Sequence, residues 1–274
     1  MNLERPNVAR VYDFYLGGTT NYAVDREFGK RVLADFPLLR PIALANRLFL
    51  HRVVRYLAGL GVSQFVDIGS GVPTMGSTHQ VADEVGPDAR VVYVDHEPVA
   101  VAHSQMLLER YGDRTRHAVL QADLRDPDEL WQQVADSRVI DVAKPVALLL
   151  IAVLHVQQPG PDGVEAGPAA VARYRQLLAP GSYLAISHIT NDGVPASVAD
   201  ALAELKRKYD TSSSPVIWRS RAEIDALMGD FEPVEPGMVW TPQWRSDQSG
   251  PGAPIVPFAT PEESVMWAGA GRKR

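Results

Sequence analysis

Residues 65–71 read Phe65-Val66-Asp67-Ile68-Gly69-Ser70-Gly71, an apolar run that ends in an acid and passes straight into Gly-x-Gly. Val and Ile suit a pleated, buried strand. Glycine lets the backbone turn sharply and come close to a ligand with no Cβ in the way. The stretch therefore predicts a strand followed by a turn that faces a ligand. Alone, it is also compatible with an ordinary strand-to-helix turn. The third glycine of the dinucleotide fingerprint Gly-x-Gly-x-x-Gly is missing, because Thr74 stands in its place.

Working outward, short β-branched runs alternate with helical stretches from residue 64 onward. Strands are predicted at about 64–68, 90–94, 117–121, 146–151 and 183–187, with helices near 78–85, 98–111, 127–135 and 168–178. This alternation is the signature of successive βαβ units and a mostly parallel sheet. Helices at about 196–209 and 221–228 follow, then two β-like stretches at 231–240 and 264–268. The expected fold is α/β, a Rossmann-like seven-stranded sheet with helices on both faces, over residues 62–274. Upstream, residues 1–61 read as a helical extension over that fold. Val8, Val11, Tyr12 and Tyr15 recur at helical spacing before Gly17-Gly18, Phe28, Val32 and Phe36 do so after Asp25, and a third helix is expected at about 42–60. The Pro- and Gly-rich connection at 241–261, with Trp244 and Arg245 inside it, is long enough to predict a functional or mobile loop.

Composition narrows the function. The 274 residues carry 27 Lys plus Arg against 33 Asp plus Glu, a net charge of -6, so no broad electrostatic reason exists to hold a nucleic-acid backbone. The absence of cysteine removes disulfides, thiolate metal sites and cysteine nucleophiles together. The longest apolar run, 146–154, falls far short of the roughly 20 residues a membrane helix needs. The first thirty residues contain no apolar signal region, so a cytoplasmic protein is expected.

The next two strands sharpen the ligand. Asp95 ends the second one, 28 residues after Asp67, where a carboxylate can take both hydroxyls of a ribose. Asp123 ends the third, where it can accept from an adenine amino group. Each acid alone reads equally as a helix cap, since Pro98 and Pro127 follow closely. Three acids at the carboxyl ends of consecutive strands, around one glycine turn, point to an adenosine-containing ligand at that edge of the sheet.

These residues resemble the class I S-adenosylmethionine-dependent methyltransferases. Asp67, Gly69 and Gly71 match that family's first motif, Asp95 its ribose-binding acid, and Asp123 with Leu124 its adenine-binding pair; the motif's third glycine is replaced by Pro73. More narrowly, residues 7–18, Asn21-Tyr22, Asp25-Arg26, Asn46-Arg47, Gly71-Val72-Pro73-Thr74 with His79, Val153-Leu154-His155 and Ser187-His188 are similar to an actinobacterial methyltransferase-like family of unassigned substrate. Pro73 belongs to that family's own pattern. The resemblance implies a Rossmann-like methyltransferase fold with S-adenosylmethionine as cofactor. It implies a cofactor site made of Asp67, Gly69, Gly71, Asp95, Asp123 and Leu124; Ser70, His96 and Ala152 are expected beside them, and Tyr22 is added because it follows the Gly17-Gly18 turn and Asn21.

His79, His96, His155 and His188 all fall at or just after predicted strand ends, with spacings that match no metal-ligand motif. His155 and His188 are the candidate bases, against the plainer reading of packed structural histidines. The function these features favour is methyl transfer to a small organic acceptor, with no nucleic-acid or membrane partner. The competing readings are a noncatalytic sensor of the cofactor and, against the missing glycine, a nicotinamide-dependent oxidoreductase.

Overall fold

The computed structural model describes residues 4–72, 76–210, 212, 214–250 and 252–274. Three helices come first: α1 (Val8–Tyr15), α2 (Ala23–Asp35) and α3 (Leu39–Gly59). The alternating part follows as β1 (Gln64–Ile68), α4 (Thr78–Asp83), β2 (Arg90–Asp95), α5 (Pro98–Tyr111), β3 (His117–Gln121), α6 (Pro127–Asp136), β4 (Ala147–Ile151), α7 (Gly167–Leu177) and β5 (Tyr183–Ile189). Then come α8 (Ala196–Asp210), α9 (Arg221–Met228), β6 (Glu232–Pro233), β7 (Val239–Trp240) and β8 (Met266–Arg272). The first five strands run parallel in the order β3-β2-β1-β4-β5, and β8 lies antiparallel beside β5 and carries β6 and β7 on its other edge.

The period of two along each strand sorts side chains to opposite faces. Val66, Ile68, Val92, Val94, Leu148 and Leu150 pack under α6, α7 and α9, whereas Phe65, Val91, Tyr93, Ala147 and Leu149 pack under α3, α4 and α5. A third core joins Val11 and Tyr15 of α1, Phe28 and Val32 of α2 and Ile42 of α3 to Leu202 and Leu205 of α8, Ile189 and Met266. Residues 4–61 thus share their apolar interior with the far end of the sheet. Among the described residues no helix is long and apolar enough to cross a membrane.

Four expectations change. α3 begins at Leu39, not near residue 42, because Pro41 falls in the first turn, where backbone N–H groups have no helical partner to lose. The single strand expected at 231–240 is split into β6 and β7, giving eight strands. The intervening residues make a turn, in which the Gly237 N–H donates to the Val234 carbonyl (2.8 Å) and Gly237 has a φ of 79°. β8 runs to Arg272, past the expected end, because Gly269 and Gly271 are poor strand formers that here sit against Met238 and Phe231 with little room for a side chain. The connection at 241–261 is anchored on α3: Trp244 is fully buried with its ring edge-on to Phe49 and Tyr56. The buried Arg52 guanidinium donates to the carbonyls of Trp244 (2.6 Å) and Thr241 (2.5 Å). Pro73, which replaces the motif's third glycine, and Thr74 lie outside the described residues.

Candidate active site

The carboxyl ends of β1, β2 and β4 open into a cavity of about 290 Å³, roofed by Asn7, Val8, Ala9 and Tyr12 of the α1 region and by Asn46, Arg47 and Leu50 of α3. The glycine turn after β1 forms its floor. Gly69 and Gly71 have φ of 70° and 65°, values that a side chain makes costly, and a Cβ on Gly69 would collide with the Val153 side chain. The Gly71 N–H donates to Asp95 Oδ2 (2.8 Å) and the Glu97 N–H to Asp95 Oδ1 (2.9 Å). Asp95 therefore holds the turn in place, and the remaining lone pairs of its two oxygens are left for a ligand. Asp67 is buried at the same turn and accepts from Thr78 Oγ1 (2.7 Å). Burial pushes its carboxyl above the usual range, opposed by the Thr78 hydrogen bond and the nearby Arg47 charge.

At the β3 end, Asp123 and Leu124 line the cavity. The Asp123 carboxylate is gripped by Arg125, whose Nη2 lies 2.5 Å from Oδ2 and whose Nη1 reaches on to the Pro159 carbonyl (2.6 Å). That hydrogen bonding holds Asp123 below the ordinary carboxylate range. Ser70 lines the floor and His96 the rim, the latter with its side chain 71% exposed. Ala152, directly after β4, has a φ of 57°, unusual for a residue with a Cβ and of the kind that clusters at functional sites. It is held there by its N–H donating to Ser187 Oγ (3.0 Å). Ser187 donates to Asn46 Oδ1 (2.5 Å), and Asn46 Nδ2 to the Tyr12 hydroxyl (2.9 Å).

A second cavity of about 60 Å³ adjoins the first and shares Val8, Tyr12, Ala152 and His155 with it. His155 is half-buried, and its Nδ1 is a buried atom with no hydrogen-bond partner. Burial holds its imidazole well below the ordinary histidine pKa, with the electrostatic influence of His188 and Arg219 in the same direction, so it is neutral at pH 7.

Not every expected site residue reaches the cavity. Tyr22 caps α2 from outside, 39% exposed, with the Arg10 guanidinium 5.2 Å from its ring centroid; it lines neither cavity. His188 is fully buried in β5, its Nδ1 on the Ile189 carbonyl (2.6 Å) and its Nε2 on Arg219 Nη1 (2.7 Å). Those partners make it a neutral, satisfied histidine with no path to a substrate. His79 is likewise buried, bonded to the Tyr93 hydroxyl (2.7 Å).

Burial pushes His188 down to about 3. The unfolded chain takes up a proton near 6.5 that the folded chain refuses, so stability is complete above that pH and is lost progressively as pH falls towards 3. Each unit below 6.5 is expected to cost about 1.4 kcal/mol from this residue. Melting temperatures between pH 7 and 4.5 should show a shallower fall for His188→Gln than for the parent; equal slopes would assign the acid sensitivity elsewhere.

Three features escaped the sequence reading. Arg47 stood out only as part of a family-like pair with Asn46, yet it lines the cavity while only 8% exposed, and its Nε has no partner. Among the described residues it makes no ion pair. Arg125 was invisible as the clamp on Asp123. Glu97 accepts from Asn7 Nδ2 (2.9 Å) and so ties the start of α1 to the end of β2 across the cavity mouth.

A parallel five-stranded core extended by an antiparallel β8, with an acid-rimmed cavity over the glycine turn, defines the class: a Rossmann-like methyltransferase fold. The chain belongs to the S-adenosyl methyltransferase family, whose model matches residues 1–274, and is an S-adenosylmethionine-dependent methyltransferase. It is similar to a candidate methyltransferase from Thermobifida fusca, with 40% identity over 100% of this chain and 97% of that one and a TM-score of 0.84. It is also similar to a DUF574 family protein from Streptomyces avermitilis, with 32% identity over 99% and 98% and a TM-score of 0.85. PigF, solved with S-adenosylhomocysteine, shares the fold at 18% identity over 90% of this chain and 70% of its own, with a TM-score of 0.50. No protein of curated function matches the chain.

Proposed function

We propose that this enzyme methylates a small organic acceptor held beside His155. The observation that carries the reading is the junction of the two cavities at Ala152 and His155: one is large and rimmed with acids, the other small and apolar, and both are covered by α1. A roofed site of this size admits a small molecule in preference to a polymer.

The donor set of the larger cavity fits S-adenosylmethionine. Asp95 would take the ribose hydroxyls, Leu124 would pack against adenine, and Asp123 would share one carboxylate oxygen between Arg125 and the adenine amino group. Arg47, a largely buried guanidinium that lines the cavity and makes no ion pair among the described residues, is the natural partner for the methionine carboxylate, and the buried Asp67 lines the same cavity. When bound, the cofactor supplies a methyl carbon made electrophilic by its sulfonium, and the acceptor's lone pair forms the new bond as the carbon–sulfur bond breaks, leaving S-adenosylhomocysteine. The protein's part is alignment, exclusion of water and removal of the acceptor's proton. Tyr12, Asn46 and Ser187 fix the Ala152 backbone at the junction, α1 closes the mouth, and neutral His155 takes the proton on Nε2.

Calorimetry is expected to show S-adenosylhomocysteine binding far more tightly than NAD, and NAD as the better ligand would overturn the reading. Asp95→Ala should weaken S-adenosylhomocysteine about ten- to a hundredfold, the loss of hydrogen bonds to a charged acceptor. Unchanged affinity would remove Asp95 from the site.

A further inference from the structure

The smaller cavity has a chemical character of its own. None of its lining residues is Asp, Glu, Lys or Arg; its walls are aromatic and aliphatic, with Tyr12, Tyr15, Tyr209 and Trp218 around Ile42 and Met266. The tyrosine hydroxyls are already engaged. Tyr12 donates to the Ala43 carbonyl (3.0 Å) and accepts from Asn46, while Tyr15 and Tyr209 bond each other (3.2 Å). His155 lines both cavities and is half-buried; its Nδ1 is sealed without a partner, which leaves Nε2 as the ring nitrogen open to them.

We infer that this cavity is the acceptor subsite and that it takes the neutral aromatic ring of a phenol-type acceptor, with the hydroxyl on His155 Nε2. The inference rests on the methyltransferase reading of the adjoining cavity. Its volume of about 60 Å³ holds about four to six water-sized groups, the bulk of one ring. Aromatic walls favour a flat ring through edge and offset contacts. An ammonium would lose its hydration there with no opposite charge in the lining to replace it, at a cost of several kcal/mol, and a carboxylate would likewise be desolvated against apolar walls. A hydroxyl keeps a partner, because His155 accepts its proton.

The chemistry balances. The hydroxyl oxygen bonds the methyl carbon, the carbon–sulfur electron pair stays on sulfur, and the hydroxyl proton passes to His155 Nε2 and from there to water. Positive charge moves from the sulfonium to the imidazolium, so the apolar site carries one positive charge before and after transfer. This is why a neutral base suits it better than a carboxylate, which would pair with the sulfonium in the ground state.

Matched probes test the assignment by binding, without turnover: 4-ethylphenol, 4-ethylbenzoate and 4-ethylbenzylamine, titrated calorimetrically into the protein saturated with S-adenosylhomocysteine. The phenol should bind at least about tenfold more tightly than either charged analogue. Val216→Phe, which fills the cavity from its edge, should weaken the phenol about tenfold or more and leave S-adenosylhomocysteine affinity unchanged. Trp218→Ala, at a half-buried position, should shift preference from 4-ethylphenol towards the larger 2-naphthol, and it decides the matter if the Phe variant loses its cooperative melt. Equal or tighter binding of a charged analogue, or variants that bind S-adenosylhomocysteine normally with an unshifted probe preference, would overturn the inference alone. Failure of the parent protein to bind S-adenosylhomocysteine would overturn the methyltransferase reading and this inference with it.

Discussion

His155→Asn is expected to lower methyl transfer to a phenol-type acceptor by about 10²- to 10⁴-fold, the usual contribution of a positioned proton acceptor, while S-adenosylhomocysteine affinity stays within about twofold. Asn keeps a polar side chain of smaller size but cannot take a proton at neutral pH. A purely structural His155 would instead give a lower melting temperature with turnover per folded molecule intact. The pH profile adds an independent check. Burial and the neighbouring charges hold the imidazole well below the ordinary histidine range, and the active form is the neutral one. Activity should therefore be insensitive to this group from pH 8 down to 6.5 and be lost only on further acidification. An acid limb centred at or above 6.5 would remove His155 as the base. Its buried neighbour provides a contrast: His188, bonded at both nitrogens, should affect acid stability and leave the transfer step alone.

Arg47→Met should weaken S-adenosylhomocysteine by about 30-fold to several thousandfold, the range for truncating one partner of a buried, hydrogen-bonded charge pair. Methionine keeps much of the side chain's length and apolar stem and removes the charge. The discriminating ligand is 5′-methylthioadenosine, which has the adenosine and sulfur but no amino acid. Its affinity should be nearly the same in parent and variant, because Asp95, Leu124 and the glycine turn are untouched. An equal loss for both ligands would mean that Arg47 supports the cavity's shape through the nearby Asp67 and Tyr12, without itself meeting a carboxylate.

The strand positions were legible because their chemistry is local. Strands 64–68, 117–121 and the helices after Pro98 and Pro127 are written in runs of β-branched residues and in prolines at first helical turns, and they appear within a residue or two of expectation. The gathering of the acids was legible for the same reason: in a parallel sheet the residues at the carboxyl ends of the strands share one edge, so Asp67, Asp95 and Asp123 had to fall on one side. What failed was whatever depended on distant partners. β8 hides its strand character behind Gly269 and Gly271, which are tolerated only because Phe231 and Met238 leave no space for side chains. Trp244 reads as part of a loose loop until α3 supplies Phe49, Tyr56 and Arg52 around it.

The amino-acid sequence by itself determined the α/β class, the order of elements, the glycine turn and the row of acids, since each follows from periodicity or from the allowed conformations of single residues. Tertiary structure alone decided between two histidines that look alike on paper. His155 and His188 both follow apolar strands, yet a difference of direction puts one at the meeting of two cavities and the other between Ile189 and Arg219 in a sealed core. It also decided that the base of α1, and not Tyr22, covers the cavity, and that Arg47, twenty residues before the glycine turn, lies against it. Which groups are left unpaired in a buried space depends on the packing of segments far apart in the chain, and no local pattern records it.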